Sequence, residues 1–228
     1  MPESLLRAGE RRADVTHHTD DRDAEAPNMS TPTPTAALLL AAGYGRRFGS
    51  DKRTADLGGA SLLGASLALP CSMLDEVWIV LRPDDHSSEL GLPEHVNVVQ
   101  HADTALGMGH SLAAGARRLS RESSADCLAL FLADMPQIRR ATLATLLALA
   151  SPTRIVVPTC AQRRGHPVLF GRAFWAPLCE LSGDQGARSV LARYADAVEL
   201  VETGDPGVLL DVDLPQDLQH LRGADSMG

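Results

Sequence analysis

The run Leu40-Ala-Ala-Gly-Tyr-Gly-Arg-Arg-Phe-Gly-Ser-Asp-Lys52 holds the most suggestive chemistry in the chain. Gly43, Gly45 and Gly49 permit backbone angles closed to other residues and let peptide N–H groups approach an anion. Arg46 and Arg47 add positive charge, and Lys52 adds a mobile ammonium a few residues later. A loop furnished this way suits a triphosphate, whose charge must be screened on several oxygens at once. A tight strand-to-helix turn with exposed basic residues would share some of these features. Two arginines and a lysine in one short loop of a chain with formal net charge −8 favour the functional reading. The spacing matches neither the P-loop, which closes on Gly-Lys-Ser/Thr, nor the dinucleotide fingerprint Gly-x-Gly-x-x-Gly. A kinase and a dehydrogenase are therefore disfavoured. The second strand, ending Leu81-Arg82-Pro83, also lacks the acid that a dehydrogenase needs for the ribose.

Acidic residues supply the complementary half. Asp134 follows the apolar run Cys127–Ala133 and precedes Met135-Pro136. A carboxylate at the carboxyl end of a strand can hold Mg²⁺, which takes one or two carboxylates plus phosphate oxygens. It would equally suit a plain turn before proline. Asp211 and Asp213 fall on one face if their segment is extended, and one of them can complete a metal shell with Asp134. Alternatively they are acids placed at a helix N-terminus to suit its dipole. Gly107, Gly109 and Ser111 open a helix, with Ser111 as a possible cap. His166, in Gly165-His166-Pro167, is a loop histidine. Asp184 reads as an N-cap and Arg188 as a residue of a solvated helix face.

These residues need a sheet to bring them together. From Ala36 onward strand-like and helix-like runs alternate: strands at 36–42, 75–81, 96–100, 127–133, 154–157, 168–170, 198–201 and 208–212; helices at 61–69, 106–119, 141–150, 172–181, 185–194 and 215–221. Alternation of this kind predicts a mostly parallel sheet with helices on both faces, with ligands beyond the carboxyl ends of the strands. At 228 residues and 44% hydrophobic content the chain suits one α/β domain, expected over residues 36–228. Aromatics are only 4%, so Ala, Leu and Val must fill the core. Residues 1–35, rich in charge, Thr and Pro and without apolar period, are expected to be a disordered tail. Alternatively, translation starts at Met29 and the residues before it are a gene-model extension.

Composition excludes several classes. An acidic chain with scattered arginines is a poor nucleic-acid binder. No apolar run approaches the roughly 20 residues of a membrane span, and no apolar signal core stands at the N-terminus. Cys71, Cys127, Cys160 and Cys179 show no metal-ligand spacing and read as structural thiols of a reducing compartment, so a cytoplasmic location is expected.

Taken together, the motifs resemble a known family. Leu40-Ala-Ala-Gly-x-Gly-x-Arg-x-Gly49 followed by Lys52 resembles the signature of the MobA-like NTP transferases. Within them the chain is most similar to the molybdenum-cofactor cytidylyltransferase (MocA-like) group. Leu-Ala-Asp134-Met-Pro is similar to the family's Gly-Asp-Met-Pro segment, Gly165-His166-Pro167 to the Gly-His-Pro of the cytidylyl group, and Gly183-Asp184-Gln185-Gly186-Ala187-Arg188 to its Gly-Asp-x-Gly-Ala-Arg. Asp211-Val212-Asp213-Leu214-Pro215-Gln216-Asp217-Leu218 is similar to the closing Asp-x-Asp-Thr-Pro-Glu-Asp-Leu, with Leu214 replacing Thr. The likeness spans roughly residues 36–221. It departs after Lys52, where Arg53-Thr54-Ala55-Asp56 replaces a Leu-rich continuation.

The resemblance implies a three-layer α/β/α, Rossmann-like fold of the nucleotide-diphospho-sugar transferase type. It implies transfer of NMP to a phosphorylated acceptor with release of pyrophosphate. Leu40, Ala41, Ala42, Gly43, Gly45, Arg46, Arg47, Gly49 and Lys52 would hold the triphosphate, with Gly107, Gly109 and Ser111 near base and ribose. Arg47, Lys52 and Asp134 would be catalytic. Mg²⁺ would sit on Asp134 with Asp211 or Asp213, and His166 and Arg188 would contact the acceptor. Ala42 stands where guanylyl enzymes carry Gly, which favours CTP. The implied acceptor is a phosphorylated pterin, the molybdenum cofactor, and the receiver of the product a molybdenum hydroxylase. The alternatives are a guanylyltransferase, another phosphate acceptor, or a non-catalytic chaperone of the cofactor.

Overall fold

The computed structural model of the protein describes residues 32–45 and 48–218. The tail expected at 1–35 falls outside them up to residue 31, as do Arg46, Arg47 and the end of the last expected helix. The sheet begins at β1 (Thr35–Leu40), followed by α1 (Leu62–Met73), β2 (Glu76–Leu81), β3 (Asn97–Gln100), α2 (Met108–Glu122), β4 (Cys127–Leu132) and α3 (Arg140–Ala148). Then come β5 (Ile155–Cys160), β6 (Arg163–Arg164), β7 (Val168–Gly171), α4 (Trp175–Cys179), α5 (Arg188–Arg193) and β8 (Val198–Glu202).

The strand order is β3-β2-β1-β4-β7-β5-β6, with β8 also paired to β5. β3, β2, β1 and β4 run parallel, in register Leu38 to Trp78 and Leu38 to Leu130. β7 enters antiparallel between β4 and β5, and β8 runs parallel to β5. The sheet is thus mostly parallel and three-layered, the fold expected.

Alternation along β1 explains the layers. Ala36, Leu38 and Leu40 join Trp78, Val80 and Leu130 in one core, under α2 and the helices α4 and α5. Ala37, Leu39 and Ala41 join Ile79, Leu81 and Phe131 in the other, under α1 and α3. A strand buried on both faces reads as an unbroken apolar run, as β1 and β4 do. Cys127, buried in β4, has its thiol pushed up to about 12 by that burial, in keeping with a structural role. Ser61 caps α1, accepting from the Gly64 N–H at 3.0 Å.

Several boundaries differ from expectation. Residues 208–212 form no strand. Pro206–Leu209 is a 3-10 turn, and the chain beyond it bonds to the site loop, the Val212 N–H reaching Asp134 O at 2.9 Å. The expected helix 172–181 is a 3-10 turn, Arg172–Phe174, leading into the short α4. The helix expected at 185–194 is regular only over α5. No helix among the described residues is long and apolar enough to cross a membrane.

Candidate active site

Strand order reverses beside β1: β2 and β3 lie to one side, β4 to the other. A crevice at such a switch, beyond the carboxyl ends of the strands, is where an open α/β sheet takes ligands. A cleft of about 620 Å³ opens there. Leu40, Ala42, Gly43 and Gly45 line it from the end of β1 and its loop; Leu132 and Asp134 from the end of β4; Gly107 and Ser111 from the start of α2; Asp213 from the closing segment; and Lys52 reaches in from beyond the loop.

Lys52 is the hub. Its Nζ donates to Asp134 Oδ2 at 2.7 Å, to Val212 O at 2.9 Å and to Asp213 Oδ1 at 3.4 Å. Burial works against its charge, but Asp134 and Asp213 outweigh burial and raise its pKa. Asp134 has a second, contrasting feature. Its Oδ1 is buried and meets no hydrogen-bond partner among the described residues. A buried carboxylate oxygen without a donor is costly unless something electropositive faces it. The donor set thus fits a hard divalent cation held by Asp134 and Asp213 and completed by phosphate oxygens. Among the described residues no group of three or more His, Cys, Asp or Glu side chains gathers at metal-binding spacing.

The two carboxylates of the closing segment diverge. Asp213 lines the cleft, and Asp217 Oδ2 accepts from its backbone N–H at 3.0 Å and from that of Leu214 at 2.8 Å, capping the turn that follows. Asp211 is exposed and does not line the cleft. Partial loss of solvation nonetheless raises its pKa, and the charges of Asp213 and Asp134 push the same way.

Two motifs that read separately in sequence are one contact in space. The Gly109 N–H donates to Gly183 O at 2.8 Å. At Gly107, with φ +137°, an added Cβ would lie 2.3 Å from Asp184 Oδ1 and 2.6 Å from Gly183 O. Glycine there lets the N-terminus of α2 dock on the Gly183-Asp184 turn and brings Asp184 to the cleft wall. Gly109 itself is buried behind the wall. The Ser111 hydroxyl bonds Thr104 O at 3.1 Å and Gly107 O at 3.3 Å, tying α2 to the 3-10 turn before it.

His166 is partly buried and does not line the cleft. Burial depresses its pKa to about 4, against a small opposing pull from Asp134, so its imidazole is neutral at pH 7. Its backbone N–H donates to Val208 O at 2.9 Å. Arg188 opens α5, exposed and outside the lining, four residues past Asp184. Ala41 lies in the core below the cleft, and Gly49 is exposed beyond it. The roles expected for Arg46 and Arg47 fall outside the described residues.

Sequence reasoning missed a cluster at the end of β2. Arg53, only 3% exposed, bonds Asp51 and Asp85, and Arg82 reaches Asp51 and Gly43 O. The signal was present as the departure from Leu-rich sequence after Lys52. Its partners are spread over more than thirty residues, from Asp51 to Asp85, so no local pattern reveals them.

A phosphate-suited glycine loop after the first strand, facing a carboxylate after the fourth across a reversal of strand order, defines the nucleotidyltransferase class of three-layer α/β proteins. The comparisons narrow the class. Residues 37–198 match the MobA-like NTP transferase domain, and the chain belongs to that family. It is 33% identical over 197 residues to the purine catabolism protein PucB of Bacillus subtilis (strain 168), covering 82% of this chain and 95% of that protein. The crystal structure of an Rv0371c homolog from Mycobacterium sp. strain JC1 is similar with a TM-score of 0.73 and 30% identity, over 85% of this chain and 98% of that one. Rv0371c of Mycobacterium tuberculosis H37Rv, solved in complex with manganese, is similar with a TM-score of 0.67 and 25% identity, over 84% of this chain and 100% of that one. The protein is a nucleotidyltransferase of the MobA-like family, and its substrate is an NTP.

Proposed function

We propose that this protein transfers CMP from CTP to the phosphate of a pterin cofactor, molybdopterin carrying molybdenum, and releases pyrophosphate. The observation that carries the reading is the Lys52–Asp134–Asp213 cluster lying behind the glycine loop in one cleft. Ala42 lines that cleft, at the position where the family resemblance separates cytidylyl from guanylyl enzymes.

An acceptor phosphate oxygen attacks the α-phosphorus in line. A new P–O–P bond forms, the α–β bond breaks, and its electron pair leaves on pyrophosphate. The nucleophile is already anionic, so no strong general base is needed. Catalysis rests on positioning and charge. The amides of Gly43, Tyr44 and Gly45 and the side chain of Arg47 hold the triphosphate. Lys52, attracted by the incoming phosphates, shares its ammonium between the carboxylates and the β–γ oxygens and neutralises the leaving group. Asp134, through its unpartnered Oδ1, and Asp213 would hold Mg²⁺, which would supply positive charge against the negative charge that develops on the phosphates. His166 and Arg188, which do not line the cleft, are assigned to the acceptor's anionic group on the family resemblance alone. The complex of a related chain with manganese supports a divalent cation. The reading places the protein in the cytoplasm, with a molybdenum hydroxylase as receiver of the product.

The test is a panel of the four NTPs with purified molybdenum cofactor and Mg²⁺, following pyrophosphate. CTP should be used best, and omission of the cofactor should stop release. Preferred use of GTP would overturn the choice of base. Tight pterin binding without turnover on any NTP would replace the enzyme with a chaperone.

A further inference from the structure

The reaction as described makes no use of the ion network beneath the phosphate loop. Arg53 lies at its centre. Its Nε and Nη2 donate to Asp51 at 2.9 and 2.6 Å, its Nη1 and Nη2 to Asp85 at 2.5 and 2.7 Å, and its Nη1 to Ala41 O at 2.9 Å. Arg82, at the end of β2, shares both acids. Its Nη1 donates to Asp51 Oδ2 at 2.9 Å and its backbone N–H to Asp85 Oδ2 at 2.8 Å. The remaining amino group of Arg82 donates to the carbonyl of Gly43, and its guanidinium lies 4.6 Å from the centre of the Tyr44 ring.

We propose that Arg82 is a positioning residue for the nucleotide's phosphates, because it fixes the Gly43–Tyr44 peptide so that the amide N–H of Tyr44 faces the cleft. The claim rests on the reading that the cleft takes an NTP. A trans peptide is planar, and its C=O and N–H point in opposite directions. A carbonyl tied to a guanidinium on the β2 side therefore presents its partner N–H on the other side. Gly43, Tyr44 and Gly45 all line the cleft. Glycine at position 43 makes rotation of this peptide cheap, so an external tether is needed to hold one orientation. Arg53 does not touch the loop's lining. It holds Asp51 and Asp85, which in turn hold Arg82. The charges balance within the network, two arginines against two aspartates, so removing one member leaves a charge uncompensated.

A purely structural network would lower stability and leave nucleotide affinity alone. The experiment therefore reads both. Binding of a non-hydrolysable CTP analogue with Mg²⁺ is measured by calorimetry for the wild type, Arg82→Met and Arg82→Lys, with melting temperatures recorded alongside. Arg82→Met should weaken binding about tenfold or more, the scale of one charge-assisted hydrogen bond. Turnover at saturating CTP should fall far less than affinity. Arg82→Lys keeps a cation able to serve one of the two acceptors and should fall between the two. It also keeps the test open if Arg82→Met fails to fold. Binding by Arg82→Met, or by Arg82→Lys in its place, within about twofold of the wild type would overturn the positioning role and leave the proposed reaction standing, since that shift is well short of one hydrogen bond. A wild type that binds no NTP analogue would overturn both.

Discussion

Lys52→Met removes the charge that joins the two carboxylates of the cleft and keeps the length of the stem. Lys52 Nζ and Asp134 Oδ2 are 2.7 Å apart, with the side chains 13% and 22% exposed. At an effective dielectric of about 20 the gross attraction at that distance is about 6 kcal/mol. Desolvation of both ions and residual screening remove most of it, leaving a net loss of about 1–3 kcal/mol when the ammonium is deleted. In a domain of this size that lowers the melting temperature by about 2–12 °C. A second effect has the opposite sign. Without Lys52, Asp134 and Asp213 face one cleft with no ammonium competing for Asp134 Oδ2. Mg²⁺ or Mn²⁺ should then bind the variant without nucleotide more tightly than it binds the wild type. Thermal melts with and without millimolar MgCl₂ check this: the metal should recover part of the variant's deficit and shift the wild type less. Turnover with CTP should nonetheless fall about 10²–10³-fold, because the leaving pyrophosphate loses its ammonium. A variant that melts with the wild type in metal-free buffer, or equal stabilisation of the two by Mg²⁺, would refute the claim that Lys52 and the cation share one carboxylate.

Asp134→Asn should abolish most pyrophosphate release while circular dichroism stays native, since the amide keeps the shape and loses the charge; near-normal rates would exclude Asp134 from catalysis. Gly107→Ala should cost about 1–3 kcal/mol in a urea melt, because the residue sits at φ +137° with Asp184 and Gly183 against the new methyl. Asp51→Asn tests the ion network by pH. Burial alone would raise the Asp51 carboxyl, but the hydrogen bond and charge of Arg53 outweigh it and hold it at about 2, below its ordinary 3.8. A depressed acid stabilises the fold above its unfolded pKa and loses that contribution as pH falls through the folded one. The variant should therefore melt lower than the wild type near neutral pH and match it near pH 2; a constant gap across that range would contradict the assignment.

The parallel core was legible because its strands are buried on both faces. Ala36–Ala42 and Cys127–Ala133 are apolar without interruption, and helical periods between them leave few other ways to cover a sheet. The direction of β7 was not legible. Val168–Phe170 is too short to carry a period, and its antiparallel entry between β4 and β5 is set by pairing partners far along the chain. The segment 208–212 misled for a related reason. Its apolar, valine-bounded composition suits a strand, but Pro206 and Gly207 set a 3-10 turn, and its backbone bonds are spent on His166 and Asp134. The two-residue alternation used to pair Asp211 with Asp213 consequently has no ladder behind it, and only Asp213 reaches the cleft.

The cleft was legible where a residue enters it through its own charged side chain, and hidden where a residue bonds another residue's backbone or side chain behind it. Asp134 announces itself by charge just past the end of β4, where an α/β sheet takes ligands, and Lys52 by charge close after the glycine loop. Arg82 and Asp85 do not, because their work is done on a carbonyl belonging to Gly43 and on a guanidinium belonging to Arg53. The same logic applies to Gly107 and Asp184. Each reads as ordinary punctuation, a helix start and a helix cap, and only their contact makes them one wall of the cleft. Backbone amides able to approach a phosphate look alike in every sequence. The role proposed for Arg82 puts part of the phosphate site outside the glycine loop, in the ion network at the end of β2.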